Sequence, residues 1–286
     1  MKQIFINKLN AMILKLKILQ LSLQNRFYTK SGISMSNNRK KKIIVSLTTY
    51  PKRFNVVHLT IETLLHQSLK PDKIILLLAK DEVDYIPKHL TRLQNRGLEI
   101  RIVDENLKSY NKLFYTYTEY KNEIIITVDD DTLYPKWLVE KLYKKYLDHQ
   151  NCIIAYRCSV MKKDHSGKLL PYLSWENAKG IVKPSFNLFF TGVAGVLYPP
   201  NSLSEEVFNK KKFLAICPTA DDVWFKAMSL LNGVKTVQVF ENCMEFPVVK
   251  GSQDDALWKI NNGELKNDEQ LESVFQEYNL YDLLDE

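Results

Sequence analysis

Residues 123–137 read Glu-Ile-Ile-Ile-Thr-Val-Asp-Asp-Asp-Thr-Leu-Tyr-Pro-Lys-Trp, a β-branched run that empties into three consecutive carboxylates. The stretch Ile124 to Val128 has Thr127 as its only polar residue, which predicts a strand buried on both faces. Carboxylates at positions i and i+2 just past a strand end, here Asp129 and Asp131, can direct their oxygens at one hard cation. Mg²⁺ and Mn²⁺ take such ligands and complete their shell with phosphate oxygens and water. Three adjacent carboxylates beside apolar sequence also repel one another, which a bound cation relieves. The alternative is a solvated acidic turn in which one carboxylate caps a helix starting near Pro135.

Outward from this segment, the preceding chain alternates strand and helix. Ile43–Leu47, Ile74–Ala79 and Leu98–Val103 are short β-rich runs, while 56–66, 86–96 and 111–120 have helical character. Repeated β-α units predict an α/β fold with a mostly parallel sheet and helices on both faces. In such sheets ligands bind beyond the carboxyl ends of the strands. Polar residues fall at each of those ends: Ser46 to Thr49, Asp81, Asp104, and Asp129 to Asp131. After about residue 150 the alternation is less regular, and the tail from Glu264 holds eight acidic residues against one lysine.

The bulk properties suit one large domain with a substantial core: 286 residues, 45% hydrophobic and 11% aromatic. The net charge of +7 is unevenly spread, with 12 Lys/Arg and no acidic residue in 1–53, against 28 basic and 33 acidic residues afterwards. That distribution argues against a nucleic-acid footprint over the fold and for a local anionic partner at the N-terminus. The four cysteines have no paired CxxC spacing, so free thiols in a reducing, cytoplasmic compartment are expected rather than a zinc site.

Residues 1–38 predict an amphipathic basic extension and linker. Phe5, Leu9, Met12, Leu16, Leu19 and Leu23 recur at helical steps, with Ile13, Leu14, Ile18 and Leu21 widening the stripe and Lys8, Lys15 and Ser22 opposite. Lys15 and Lys17 break every apolar run before it reaches a spanning length, and no small-residue cleavage site follows. With Arg39 to Lys42, the pattern points to a peripheral contact with an anionic membrane surface through residues 1–42, on the inner face. An extension packed on the domain, or translation from Met35, are the alternatives.

A second carboxylate pair, Asp221-Asp222, precedes an apolar run containing Val223, Trp224, Ala227 and Met228. Helix capping accounts for Asp at such a place, and so does general-base chemistry. One rival use of the triplet is a haloacid-dehalogenase-type phosphatase, Asp-x-Asp-x-Thr. Aligning its threonine with Thr132 puts Val128 where the nucleophile must stand. A two-metal nuclease lacks an evident set of histidines and carboxylates to complete it.

Taken together, VSLTTYPKR, DENLKSYNKL, ITVDDDTLYPKWL, FFTGVAGVLYPP and TADDVW, spread over roughly 43–226, resemble GT-A glycosyltransferases, close to the bacterial family-2-like enzymes of capsule and lipopolysaccharide assembly. The resemblance implies a GT-A domain over 39–286, with a donor part at about 42–135 and an acceptor and catalytic part at about 136–286. It implies an inverting, Mn²⁺- or Mg²⁺-dependent transfer of a hexose from a nucleotide-diphosphate sugar, a UDP-sugar first, to a glycan or lipid-linked saccharide. A non-catalytic nucleotide-sugar-binding module or a metal-dependent phosphate-ester hydrolase are the other classes.

By the same resemblance, Thr48, Thr49 and Tyr50 line the nucleotide pocket and Arg53 approaches the diphosphate, although a plain strand-turn-helix connection around Pro51 reads as well. Asp104 falls near the base or ribose, unless it caps the next segment. Lys112, and less so Lys108, faces the nucleotide. Asp131 is the direct metal ligand, Asp129 acts through ribose or a metal-bound water, and Asp130 completes the donor site. Asp222 is the base, with Asp221 orienting it or the acceptor. Gly192 and Gly195 allow close approach of the donor sugar or form a tight turn; Trp175 and Trp224 stack on sugar or sit in the core. Trp258, Asn261, Asn262, Asn267 and Asp268 fall where a lid closes over the donor.

Overall fold

The computed structural model describes residues 2–36, 39–249 and 266–284. Its strands are β1 (Ile43–Thr48), β2 (Lys73–Ala79), β3 (Leu98–Val103), β4 (Ile124–Thr127), β5 (Cys152–Ala155), β6 (Cys158–Val160), β7 (Leu188–Phe190), β8 (Val196–Tyr198) and β9 (Lys235–Gln238). Its α-helices are α1 (Lys2–Phe27), α2 (Phe54–Leu65), α3 (Lys88–Thr91), α4 (Asn111–Tyr120), α5 (Leu138–Asp148), α6 (Lys210–Ile216), α7 (Asp221–Leu231) and α8 (Lys266–Glu277).

Seven strands form the central sheet in the order β3-β2-β1-β4-β8-β5-β9. The first four are parallel neighbours; β8 runs antiparallel to both β4 and β5, and β9 is parallel to β5. Strand pleating divides the apolar side chains between two cores. Ile43, Val45 and Leu47 join Val57, Ile61 and Leu64 of α2 and Leu138 and Leu142 of α5 on one face. Ile44 and Ile125 join Leu113 and Tyr117 of α4, Trp224 and Phe225 of α7, and Leu271 and Phe275 of α8 on the other. Both faces are covered, which is why these strands read as continuous apolar runs. The chain winds from β1 outward to β2 and β3, then returns to β4 on the other side of β1. The β1–β4 boundary is therefore the topological switch point where such sheets bind ligands.

The 86–96 segment is less regular than expected: α3 is one turn and 3₁₀ geometry follows over Arg92–Arg96. Pro87 before it and Gly97 after it, at φ +108°, bound the helical segment at residues 88–96.

The N-terminal extension docks on the domain. Leu21 is buried with Leu59, Leu133 and Val249, with Leu14 and Ile18 packed at the edge. The apolar positions of α1 thus divide between two faces: Leu9, Met12, Leu16, Leu19 and Leu23 point outward. The short linker is packed as well. Gly32 donates its N–H to the Arg96 carbonyl at 2.9 Å and lies so close to Leu65 that a Cβ would meet its backbone at 2.6 Å. Among the described residues no helix is long and apolar enough to cross a membrane.

Candidate active site

A cleft of about 1050 Å³ opens at the carboxyl ends of β1 and β4, walled by Thr48, Thr49, Tyr50, Arg53, Lys112, Asp129 to Asp131, Gly192, Asp221 and Asp222. One side of the cleft is built from two strand ends that hold each other. Thr48 Oγ1 donates to the Leu77 carbonyl at 3.0 Å, and Thr49 Oγ1 donates to Asp130 Oδ2 at 2.5 Å. Pro51 opens a 3₁₀ turn that brings Arg53 back over the triplet. Arg53 Nη1 pairs with Asp130 Oδ1 and lies 3.2 Å from Asp131 Oδ2, with its guanidinium 5.5 Å from the Tyr50 ring centroid.

Asp130 is thus turned into the protein. Burial pushes its carboxyl up to about 6, opposed by Arg53 and Thr49. Of the three carboxylates Asp129 is the open one, its side chain 28% exposed against 5% for Asp131. The mutual repulsion expected of the triplet is relieved from within, by Arg53 on Asp130 and Asp131 and by Lys112 on Asp129. Arg53, which the resemblance sets near the diphosphate, lines the cleft and spans two of the carboxylates, Asp130 and Asp131.

Lys112, on the first turn of α4, joins the two halves of the cleft. Its Nζ is 3.3 Å from Asp129 Oδ1 and 3.2 Å from Asp221 Oδ2. Burial disfavours its charge, but Asp221, Asp129 and Asp222 outweigh that and hold the ammonium well above the ordinary lysine value.

The facing side of the cleft is the start of α7. Neither acid of the pair serves as a helix cap: Ala220 is the N-cap and no side chain accepts there. Asp222 Oδ2 instead accepts the Gly192 N–H at 2.9 Å. Its Oδ1 has no hydrogen-bond partner among the described residues. Burial, and then the Asp221 charge, push the Asp222 carboxyl up to about 7, with Lys112 opposing. A Cβ on Gly192 would lie 2.9 Å from Lys112 Nζ and 3.1 Å from Asp222 Oδ1, so only glycine lets that backbone N–H reach the acid. Gly195, at φ +96°, serves the turn into β8 and does not line the cleft.

Other sequence candidates separate in the same way. Trp175 is in the cleft wall beside Tyr172 and Phe189, whereas Trp224 is wholly buried in the core. Asp104 stands outside the cleft, exposed and 3.3 Å from Lys80. Lys108 lines the cleft with φ 56°, a left-handed conformation unusual for lysine. Asn267 also lines it, and Asp268 accepts the Tyr172 N–H at 2.6 Å; Trp258, Asn261 and Asn262 lie outside the described residues. Arg157, Tyr172 and Thr191 are cleft residues that the sequence did not single out. They come from loops between short strands, where no local pattern announces a shared cavity.

Among the described residues no three His, Cys, Asp or Glu side chains are arranged to hold a metal unaided. Asp129 and Asp131 still fit a Mn²⁺ or Mg²⁺ ion, which asks for one or two protein carboxylates and takes its remaining oxygens from substrate phosphates and water.

The sheet order, the switch-point cleft and the acidic strand end together define a GT-A-like fold. The chain is similar to a mannosyltransferase from Pyrobaculum calidifontis, solved in complex with GDP-Man and Mn²⁺, at TM-score 0.51 and 14% identity over 94% of this chain and 73% of that one. S. aureus TarS residues 1–349 give TM-score 0.49 and 11% identity over 82% of this chain and 70% of that one. A CMP:2-keto-3-deoxy-manno-octonic acid synthetase complexed with CTP gives 0.45 and 12% over 79% and 99%. No protein-family model matches the chain, and no curated protein matches it in sequence. At 14% identity the likeness to the mannosyltransferase shows the fold alone.

Proposed function

We propose that the protein is an inverting glycosyltransferase that moves a hexose from a nucleotide-diphosphate sugar, a UDP-sugar first, to a glycan or lipid-linked saccharide in surface polysaccharide synthesis. The observation that carries this reading is Lys112, whose ammonium bridges Asp129 at the donor strand end to Asp221 beside the base candidate. Residues 42–135 supply the donor half and 136–286 the acceptor half. An anionic membrane surface, reached through residues 1–42, is the third partner.

In this mechanism Thr48, Thr49 and Tyr50 border the nucleotide. Asp129 and Asp131 would hold a Mn²⁺ or Mg²⁺ ion, whose Lewis acidity would offset charge on the departing diphosphate. Asp222 takes the proton of the acceptor hydroxyl as that oxygen attacks the anomeric carbon from the side opposite the diphosphate. The Gly192 N–H fixes one oxygen of Asp222, and burial beside Asp221 keeps the acid near neutrality, where a general base works at physiological pH. Lys112 holds Asp221 and Asp129 in register.

The test is Mn²⁺-dependent donor hydrolysis or transfer, measured on wild type, Asp131→Asn and Asp222→Asn. Asp131→Asn should lose activity with its metal response. Asp222→Asn should still bind UDP and Mn²⁺ in a thermal-shift assay but transfer at least about a hundredfold more slowly. Full activity in Asp131→Asn overturns the metal assignment. An Asp222→Asn variant that behaves as wild type with every acceptor points instead to a binding module.

A further inference from the structure

Helical geometry, about 100° per residue, sets Leu14, Ile18, Leu21 and Asn25 on one side of α1 and Leu9, Met12, Leu16, Leu19, Leu23 and Phe27 on the opposite side. The first set holds the domain. Leu21 is buried against Leu59, Leu133 and Val249, and Asn25 Nδ2 donates to the His89 carbonyl at 3.0 Å. The anchor continues past the helix end, where the Arg96 guanidinium lies 4.9 Å from the Tyr28 ring and pairs with Glu62 at 2.6 Å. The second set stands in solvent, between 41% and 67% exposed. Six large apolar side chains on one helix face form a patch, unlike the isolated apolar residues normal on surfaces. Lys15 and Arg26 border it on one edge and Lys17 on the other, with stems long enough to lift their charges toward a headgroup layer.

We propose that the outer face of α1 lies in the interfacial layer of an anionic bilayer, with its Leu, Met and Phe side chains below the headgroups and its flanking cations against lipid phosphates. This rests on the membrane contact in the functional reading above and deepens it by assigning that contact to one helix face. Charge identifies the occupant. Residues 1–53 carry 12 basic and no acidic residues, so an anionic surface attracts the whole segment. A second copy packed face to face would set the same cations against each other.

The docked face gives the contact a consequence for the cleft. Leu133 and Val249, which α1 covers, flank the triplet, and the Val249 N–H donates to the Asp131 carbonyl at 2.8 Å. One packed layer therefore separates the membrane face from the donor strand end, and the helix fixes how the cleft is presented to a lipid-linked acceptor.

The experiment sediments the full chain with vesicles of phosphatidylcholine alone or with about one third phosphatidylglycerol. Wild type and a Leu16→Glu/Leu23→Glu double variant are compared at low and high salt, with Tm and oligomeric state recorded for each. Wild type should bind the mixed vesicles, more weakly as salt rises, and the double variant should lose roughly tenfold or more in partitioning at unchanged Tm. Unchanged binding by the double variant, with loss on Lys40→Glu/Lys42→Glu, overturns the helix-face assignment while the membrane contact stands. Absence of wild-type binding to the mixed vesicles overturns both. A wild-type dimer that the double variant dissociates assigns the face to a second copy and overturns the proposal. None of these readouts uses a substrate, so failure of the transferase reading is separately visible.

Discussion

Asp222 sits under opposing influences that make its titration a direct probe of its role. Burial and Asp221 hold its carboxyl near 7, about three units above an ordinary aspartate. In the proposed role of general base it works ionised, so transfer should rise with pH through about 7 and level off above it. The sign for stability is opposite. A carboxyl whose folded value exceeds its unfolded one binds more protons when folded, so its contribution is full below about 4 and is lost as pH rises through about 7. Asp222→Asn should therefore transfer far more slowly yet be more stable than wild type at pH 8 in denaturant unfolding. An Asp222→Asn variant less stable than wild type at pH 8 would contradict the geometry. Lys112→Met should do the reverse. It leaves Asp129 and Asp221 without their shared cation and should cost about 3–5 kcal/mol, visible as a lower Tm. These acids were visible in the sequence as DDD and DD, and Lys112 was expected to face the nucleotide; that its ammonium stands between Asp129 and Asp221 was not visible there.

At the scale of elements, the start of α7 is positioned by a helix far along the chain. Gln270 of α8 accepts from the Thr219 N–H at 2.9 Å and the Ala220 N–H at 3.1 Å. Leu271, Val274 and Phe275 seat α8 in the same core as α7. Gln270→Ala should leave two loop N–H groups without their acceptor and cost about 1–3 kcal/mol. Transfer should fall with it, because the loop carries the acids. Gly192→Ala separates position from stability. The added Cβ meets only the far ends of Lys112 and Asp222, so Tm should fall less than in Lys112→Met while kcat falls about tenfold or more through displacement of Asp222. The parallel half of the sheet was legible, because β2 and β4, buried on both faces, are near-continuous apolar runs and β1 and β3 are β-rich. The half after residue 150 was not: β6, β7 and β8 are three residues each, too short to set a period.

For the whole molecule, the buried Glu62–Arg96 pair ties α2, the 92–96 segment and the chain leaving α1 into one body. Arg96→Met would strand an acid in a site that burial already makes unfavourable for its charge, and should lower stability by about 3–5 kcal/mol in chemical unfolding. That packing explains why α1 divides its apolar residues. A helix with apolar residues on both sides satisfies neither a single stripe nor a solvated extension, and periodicity alone cannot say which side meets protein. The α/β class, the polar strand ends and the acidic residues at them could be read from sequence, because these follow from local patterns of two and 3.6 residues. Only the tertiary structure decided that Arg53 spans Asp130 and Asp131, that Lys112 joins the triplet to Asp221, that Asp104 stands apart, and which face of α1 remains open. Those outcomes depend on side chains far apart in sequence meeting where strands and helices pack, and no local period encodes such meetings.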